Sequence, residues 1–344
     1  MRILVLTTTG FAPTHTPKLL AQVEYLNRFS DMDVSVKTDL GLADIEYLIM
    51  TQNYDCVYPT TVFEYSNDKQ EIISFNRKLY QILEYHQQPY IGSELFVHML
   101  LNDKALTNYR CAMSLPNILL TRELWTQKYS QAVNYINKAP LPVIVKPNTL
   151  AASLGISDAS IAYTKEELLS IIDYQFNTFL NVNELLLEHY LSNAREFTVS
   201  VTGNKDKVLC SATALISRTE KYEMFSFVNK NLLADKRTLE YSSQIAEPLK
   251  KRLKEKALEL SRILNVRDYS RYDFLMDDQE KIYLIDANSL PSLGSNFLLE
   301  YVNQGLIREE QILSLLLTVF CKRTNYVYPQ HINKLSEQIL KDIL

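Results

Sequence analysis

"YSRYDFLMDDQEKIYLIDANSLPSLGS", residues 269–295, sets two alternating apolar runs on either side of the polar segment DDQEK. Period-2 alternation flanking a turn-forming segment predicts a β-hairpin. With a turn of two residues, or a loop of four, centred on Gln279 and Glu280, Asp278 faces Lys281, Leu275 faces Leu284, Asp273 faces Asp286, and Arg271 faces Asn288. Alternation then puts Arg271, Asp273, Asp286 and Asn288 on one face. Directly opposed side chains sit about 4.5–5.5 Å apart at Cβ, where like charges repel. The two carboxylates therefore call for a cation, and Arg271, on the diagonal, is a partial answer. Two carboxylates and an amide make an all-oxygen set suited to Mg²⁺, which fills its octahedron with water and substrate phosphates. Two such ions would bridge the β- and γ-phosphates of ATP. The competing reading is an exposed hairpin with solvated charges.

Upstream, "LPVIVKPNTLAASLGIS" (141–157) embeds Lys146 in a β-branched strand and follows it with a loop of small residues. An ammonium at the strand end, backbone N–H groups and the Ser153 hydroxyl could surround phosphate oxygens. A lysine lying along the sheet with its head in water explains Lys146 equally well. Lys104, in "NDKAL", opens a helix, where ammonium and backbone N–H groups both favour an anion. "ELLLEHYLSNAREFTVSV" (184–201) ends an apolar strand at Glu188-His189-Tyr190-Leu191 and begins the next at Glu196. That extended segment can offer its backbone to an adenine edge, and Glu196 can accept from ribose hydroxyls. Glu196 is equally a charge neighbour of Arg195 on an exposed strand start.

The first ~95 residues alternate strands ("RILVLTT", "DVSVKT", "YDCVYP", "PYIGS") with helical stretches ("KLLAQVEYLNRF", "KQEIISFNRKLYQILEYHQ"), a βαβ rhythm that implies a parallel sheet. No GxGxxG follows the first strand, so no dinucleotide site is expected there. Residues 103–180 hold the helix "DKALTNYRCAM", the strands "LPNILL" and "PVIVKP", and a helix "TKEELLSIIDYQF" with Thr164 as N-cap. Longer strands follow from 184. Residues 217–247 lack a clear period and read as a long loop; a helix "LKKRLKEKALELSRIL" precedes the hairpin, and the chain ends in helices. The 344 residues, 47% hydrophobic, carry a formal charge of −4, which argues against a broad grip on nucleic acid or an anionic membrane. The initial apolar run is too short for a signal peptide, and "ILSLLLTVFC" is too short to span a bilayer. Four dispersed cysteines without a CxxC pair read as reduced thiols of a cytoplasmic protein, and the five histidines lack metal-ligand spacing.

The order and spacing of these motifs, from about Tyr90 to Phe320, resemble the ATP-grasp superfamily and within it the D-alanine–D-alanine ligases. The resemblance implies an α/β fold, α+β in its later domains. A Rossmann-like parallel-sheet domain (1–97) would precede central (98–186) and C-terminal (187–322) ATP-grasp units clamping ATP, with a helical tail (323–344). Carried over, Lys104, Lys146 and Ser153 would meet ATP phosphates, Glu188, Tyr190 and Leu191 adenine, and Glu196 ribose. Asp273, Asp286 and Asn288 would hold magnesium, as two ions, with Mn²⁺ able to stand in. Lys230, in a mobile loop, would reach the γ-phosphate. Arg271 and the backbone N–H near Ser292 would stabilise an oxyanion.

Departures concern substrate. Ala151-Ala152-Ser153 replaces Gly-Ser-Ser, Asp286 replaces a glutamate, and the first loop, "TTTGFAPTHTPKLL", lacks the family's acid, leaving Thr14 and His15 as candidates for substrate contact. Phe297-Leu298 replaces the serine-leucine pair that receives the second substrate. The expectation is an ATP-dependent carboxylate–amine ligase working through an acylphosphate on an amino acid, peptide or specialised metabolite. Alternatives are a D-alanine–D-alanine ligase of cell-wall synthesis and a non-catalytic ATP-binding regulator. Partners are a small-molecule acid and amine, no nucleic acid and no membrane, with a homodimer by analogy.

Overall fold

The computed structural model describes residues 1–7, 16–60, 63–66, 71–74, 76–150, 155–205, 207–217, 239–294, 296–327 and 329. β1 (Arg2–Thr7) lies between β2 (Asp33–Thr38) and β3 (Cys56–Pro59), parallel to both. Its Ile3, Leu4 and Val5 are fully buried, as a strand covered on both faces requires. α1 (Thr16–Leu26), α2 (Leu42–Thr51) and α3 (Asn76–Tyr85) share its core.

Two expectations fail in this unit. "PYIGS" contributes a single bridge, Val57 to Tyr90, instead of a strand. Gly92 turns away at φ +112 and gives its N–H to the Asp268 carboxylate at 2.9 Å. The stretch read as helical from 69 begins instead with β5 (Glu71–Ser74), antiparallel to β4 (Phe63–Ser66). The β-branched pair Ile72-Ile73 favours the extended chain there.

α4 (Leu95–Asn102) and α5 (Lys104–Cys111) lead into a four-stranded antiparallel sheet. Its order is β6 (Asn117–Thr121), β9 (Glu184–His189), β7 (Val143–Pro147), β8 (Ile161–Ala162). α6 (Arg122–Gln127), α7 (Tyr129–Ile136) and α8 (Lys165–Thr178) complete this unit. Thr164 starts α8 in a capping box with Glu167. Val143, Val145, Leu185 and Leu187 pack against Leu168, Ile172 and Phe176 of α8. By strand alternation, Lys146 and Glu188 lie on the other face.

The third sheet is antiparallel, ordered β12 (Leu239–Ser242), β11 (Lys207–Ser217), β10 (Arg195–Asn204), β13 (Tyr269–Met276), β14 (Ile282–Asn288). Strand β12 falls within the stretch expected to be a loop, of which 218–238 lies outside the described residues. α9 (Glu247–Ile263) buries Leu253, Ala257 and Leu260, at helical spacing, on Phe197, Val199, Tyr272 and Phe274. Glu196, Thr198, Arg271 and Asp273 therefore occupy the opposite face.

The hairpin register needs one correction. Leu284 pairs with Phe274, not with Leu275, because Lys281 faces Asp277 across a three-residue loop. Asp277 N donates to Lys281 O at 3.1 Å, and Glu280 takes the left-handed conformation at φ +59. A β-bulge between Asp273 and Phe274 then takes up Ile285, restoring Asp273 opposite Asp286 and Arg271 opposite Asn288. The shifted turn centre and the bulge cancel. α10 (Leu299–Asn303) and α11 (Ile312–Thr324) follow, and α11 packs into the core of the first sheet. The expected tail helix lies mostly outside the described residues, and no described helix is long and apolar enough to cross a membrane.

Candidate functional site

Lys146, 8% exposed, meets a carboxylate. Ile144 pairs with Glu188 across β7 and β9, so Glu188 lies diagonal to Lys146 on the same face, and Lys146 Nζ donates to Glu188 Oε1. Glu188 Oε2 is buried with no hydrogen-bond partner among the described residues. An ammonium has three donors, so Lys146 keeps two for another acceptor.

Two residues on, Asn148 is fully buried and joins three elements. Its Nδ2 donates to Asp103 Oδ1 (3.0 Å) and Glu184 Oε2 (2.9 Å), and its Oδ1 accepts from Ala105 N (2.9 Å). Asp103 also caps α5 by accepting from Leu106 N at 2.9 Å. The first helical residue is Lys104, whose Nζ donates to Leu150 O at 2.6 Å. Burial lowers the Lys104 pKa, the Asp286 carboxylate opposes that shift, Lys146 reinforces it, and Glu188 opposes it. Lys104 therefore shares one electrostatic neighbourhood with a charge of the third sheet and two of the second. Where the loop after β7 returns, Gly155 has φ +73, and a Cβ there would stand 2.7 Å from Pro147 Cγ.

On the facing sheet, Arg271 grips Asp273 with both arms: Nε–Oδ1 is 2.9 Å and Nη2–Oδ2 is 2.7 Å. Thr198 Oγ1 donates to the same Oδ1 at 2.6 Å. Burial pulls the Arg271 pKa down, but the charge and hydrogen bonds of Asp273, joined by Tyr241 and Asp286, together outweigh it and raise the pKa. Asn288 Oδ1 accepts from Leu290 N at 2.8 Å and shapes the turn leading to Ser292, which is half-buried. Gln22 of α1 donates to Leu293 O at 3.3 Å and fixes that turn to the first unit.

Glu196 pairs with Leu275 on the face that carries Thr198. Tyr241 of β12 reaches this face too: burial raises its pKa, Arg271 lowers it, and Asp273 and Glu196 raise it, with a hydrogen bond to Asn296. The Tyr190 N–H donates to Pro142 O at 2.8 Å, extending the sheet just before half-buried Leu191. The structure thus pairs Lys146 with Glu188, bonds Lys104 to the chain just beyond β7, and sets Asp286 opposite Asp273, which Arg271 holds. Lys230, Ser153, Thr14 and His15 lie outside the described residues.

Sequence reasoning missed Asn148, Thr198 and Tyr241. Thr198 had a signal, since alternation from Glu196 puts it on the acidic face. Asn148 lies where the sequence predicts a loop, and Tyr241 stands in a stretch without periodicity.

Among the described residues no three His, Cys, Asp or Glu side chains form a metal-binding group. The candidate set is two carboxylates and the Asn288 amide. Its oxygen-only chemistry, with Asp273 and Asp286 opposed in register, fits a hard divalent ion that completes its shell with phosphate and water.

The family model described as D-ala D-ala ligase C-terminus matches residues 113–317, more than half of the chain. The chain belongs to this family. Curated relatives in the D-alanine–D-alanine ligase family include that of Desulfotalea psychrophila, 28% identical over 159 residues, covering 46% of this chain and 47% of that protein. Another, from Natranaerobius thermophilus, is 27% identical over 209 residues, covering 59% and 54%. The chain spans about half the length of the curated relatives it matches. The ATP-grasp fold of the family is shared with solved structures: the D-alanine–D-alanine ligase from Bacillus anthracis has a TM-score of 0.71 at 18% identity, covering 94% of this chain and 99% of that one. The VanG D-Ala:D-Ser ligase from Enterococcus faecalis gives 0.70 at 15% identity, covering 93% and 99%. Against this family pattern, Phe297 and Leu298 are core residues, 1% and 0% exposed, and Phe297 packs edge-on to Tyr269.

Proposed function

We propose that this chain is an ATP-dependent ligase that joins a carboxylate to an amine through an acylphosphate. The observation that carries this reading is the buried Lys146–Glu188 pair, with Lys104 of α5 bonded to the same loop after β7 and the opposed carboxylates Asp273 and Asp286 on the late hairpin. Lys104 and Lys146 present ammonium donors to the phosphate chain. Glu188, with the backbone of Tyr190 and Leu191, receives adenine, and Glu196 receives ribose; one of the solved relatives is a Bacillus anthracis ligase complexed with ATP. Asp273, Asp286 and Asn288 would hold Mg²⁺, which when bound offsets phosphate charge and polarises the transferring group.

In the first step an oxygen of the acid attacks the γ-phosphorus and the bond to ADP breaks. The amine nitrogen then attacks the acylphosphate carbonyl, phosphate leaves with the C–O bond pair, and the nitrogen loses a proton. Arg271 and an N–H near Ser292 receive the negative oxygen of the tetrahedral intermediate. Activation is needed because the oxygen of a free carboxylate is a poor leaving group.

The relatives' names favour D-alanine as both acid and amine over a larger peptide or metabolite. The burial of Phe297 favours a second reading in which the acceptor is held differently. ADP release with D-alanine alone, D-alanine plus D-serine, and other acid–amine pairs separates them. ADP and dipeptide from D-alanine alone establish the first, and turnover only with another pair establishes the second. ATP binding without turnover for any pair overturns both and leaves a nucleotide-binding regulator.

A further inference from the structure

Arg271 and Asp273 stand two residues apart on β13 and share a face, and every arm of their contact is made: both carboxylate oxygens accept from the guanidinium, at 2.9 and 2.7 Å. Arginine's planar fork matches a carboxylate in this way, where lysine offers a point charge. Asp286 lies directly across the hairpin. Without a positive charge, two opposed carboxylates would repel. Arg271 supplies that charge from within the chain. Asp273 Oδ1 already accepts from both Arg271 Nε and Thr198 Oγ1, so an inner-shell divalent cation on that oxygen has to displace a donor, and the like-charged guanidinium is the one it repels.

We infer that Arg271 is the resident counter-ion of Asp273 and exchanges with the divalent cation, so that cation entry frees the guanidinium for the reacting acyl group. The inference rests on the proposed reading of the hairpin as the metal site. Thr198 keeps its 2.6 Å bond to Oδ1 during the exchange and fixes the carboxylate while its arginine partner changes. The pairing would also delay the release of a charged Arg271 until metal and nucleotide have arrived, linking the first half-reaction's cofactor to the group that serves the second.

The test is Mn²⁺ binding to the full chain without nucleotide, followed by electron paramagnetic resonance. Arg271→Met is expected to bind Mn²⁺ about tenfold more tightly than the wild type, because a charge-assisted competitor has gone. Arg271→Lys, which keeps the charge but loses the fork, should tighten by about threefold and covers the case in which the methionine variant misfolds. Thr198→Val should weaken binding. Unchanged or weaker affinity in folded arginine variants overturns the exchange. Asp286→Asn separates that failure from failure of the underlying reading: if it leaves Mn²⁺ affinity intact, the hairpin is not the metal site. If it weakens binding while the arginine variants do not tighten it, the site stands and the exchange is wrong.

Discussion

Lys146 and Glu188 are both almost fully removed from water, and each neutralises the other. A buried ion pair contributes little net stability against apolar residues of the same size, yet removing one partner strands a charge. Lys146→Met should therefore destabilise the chain by about 3–5 kcal/mol in urea unfolding. Lys146→Met combined with Glu188→Leu should recover most of that loss, while both variants fail to bind ATP in calorimetry. A double variant as unstable as the single one would show that the pair is not what holds this face together. The sequence displayed the anomaly, a lysine inside a β-branched strand, but not its resolution. Glu188 becomes its partner only through the pairing of β7 with β9.

At the scale of elements, Asn148 ties the end of β7 to the start of α5 and to β9. Replacing it with alanine leaves Ala105 N, Asp103 and Glu184 short of partners. Such losses cost roughly 1–3 kcal/mol per buried group, so Asn148→Ala is expected to lower stability by about 2–4 kcal/mol. It should also raise KM for ATP, since Lys104 starts the helix that loses its anchor. A urea midpoint within experimental error of the wild type would refute this. The late hairpin was more legible. Alternation on both sides of a polar turn identifies the two strands and the acidic face, because period 2 is a local property. Loop length and bulge are not local. The expected turn is centred between Gln279 and Glu280, the observed one on Gln279, and the Ile285 bulge restores the same opposition of Asp273 and Asp286.

Across the whole molecule, Asp268 fastens the first unit to the third sheet. It is fully buried, accepts from Gly92 N at 2.9 Å and Asn204 Nδ2 at 3.0 Å, and pairs with both arms of Arg323 of α11 at 2.7 Å. Arg323→Met should cost about 3–5 kcal/mol by leaving that carboxylate without its cation. Chemical denaturation measures it, and a shift below about 1 kcal/mol would sink the argument. No periodicity announces such a contact, since its members stand 55 or more positions apart.

By itself the sequence determined which segments are strands or helices over most of the chain, the acidic face of the late hairpin, and the order of motifs that places the chain in its family. Those properties follow from residue type and spacing along a regular backbone. Tertiary structure alone decided that Lys146 meets Glu188, that Arg271 holds Asp273, that Asn148 anchors Lys104, and that Tyr241 crosses to the acidic face. Each depends on pairing register between strands or on packing between units, where one residue of slip changes every partner.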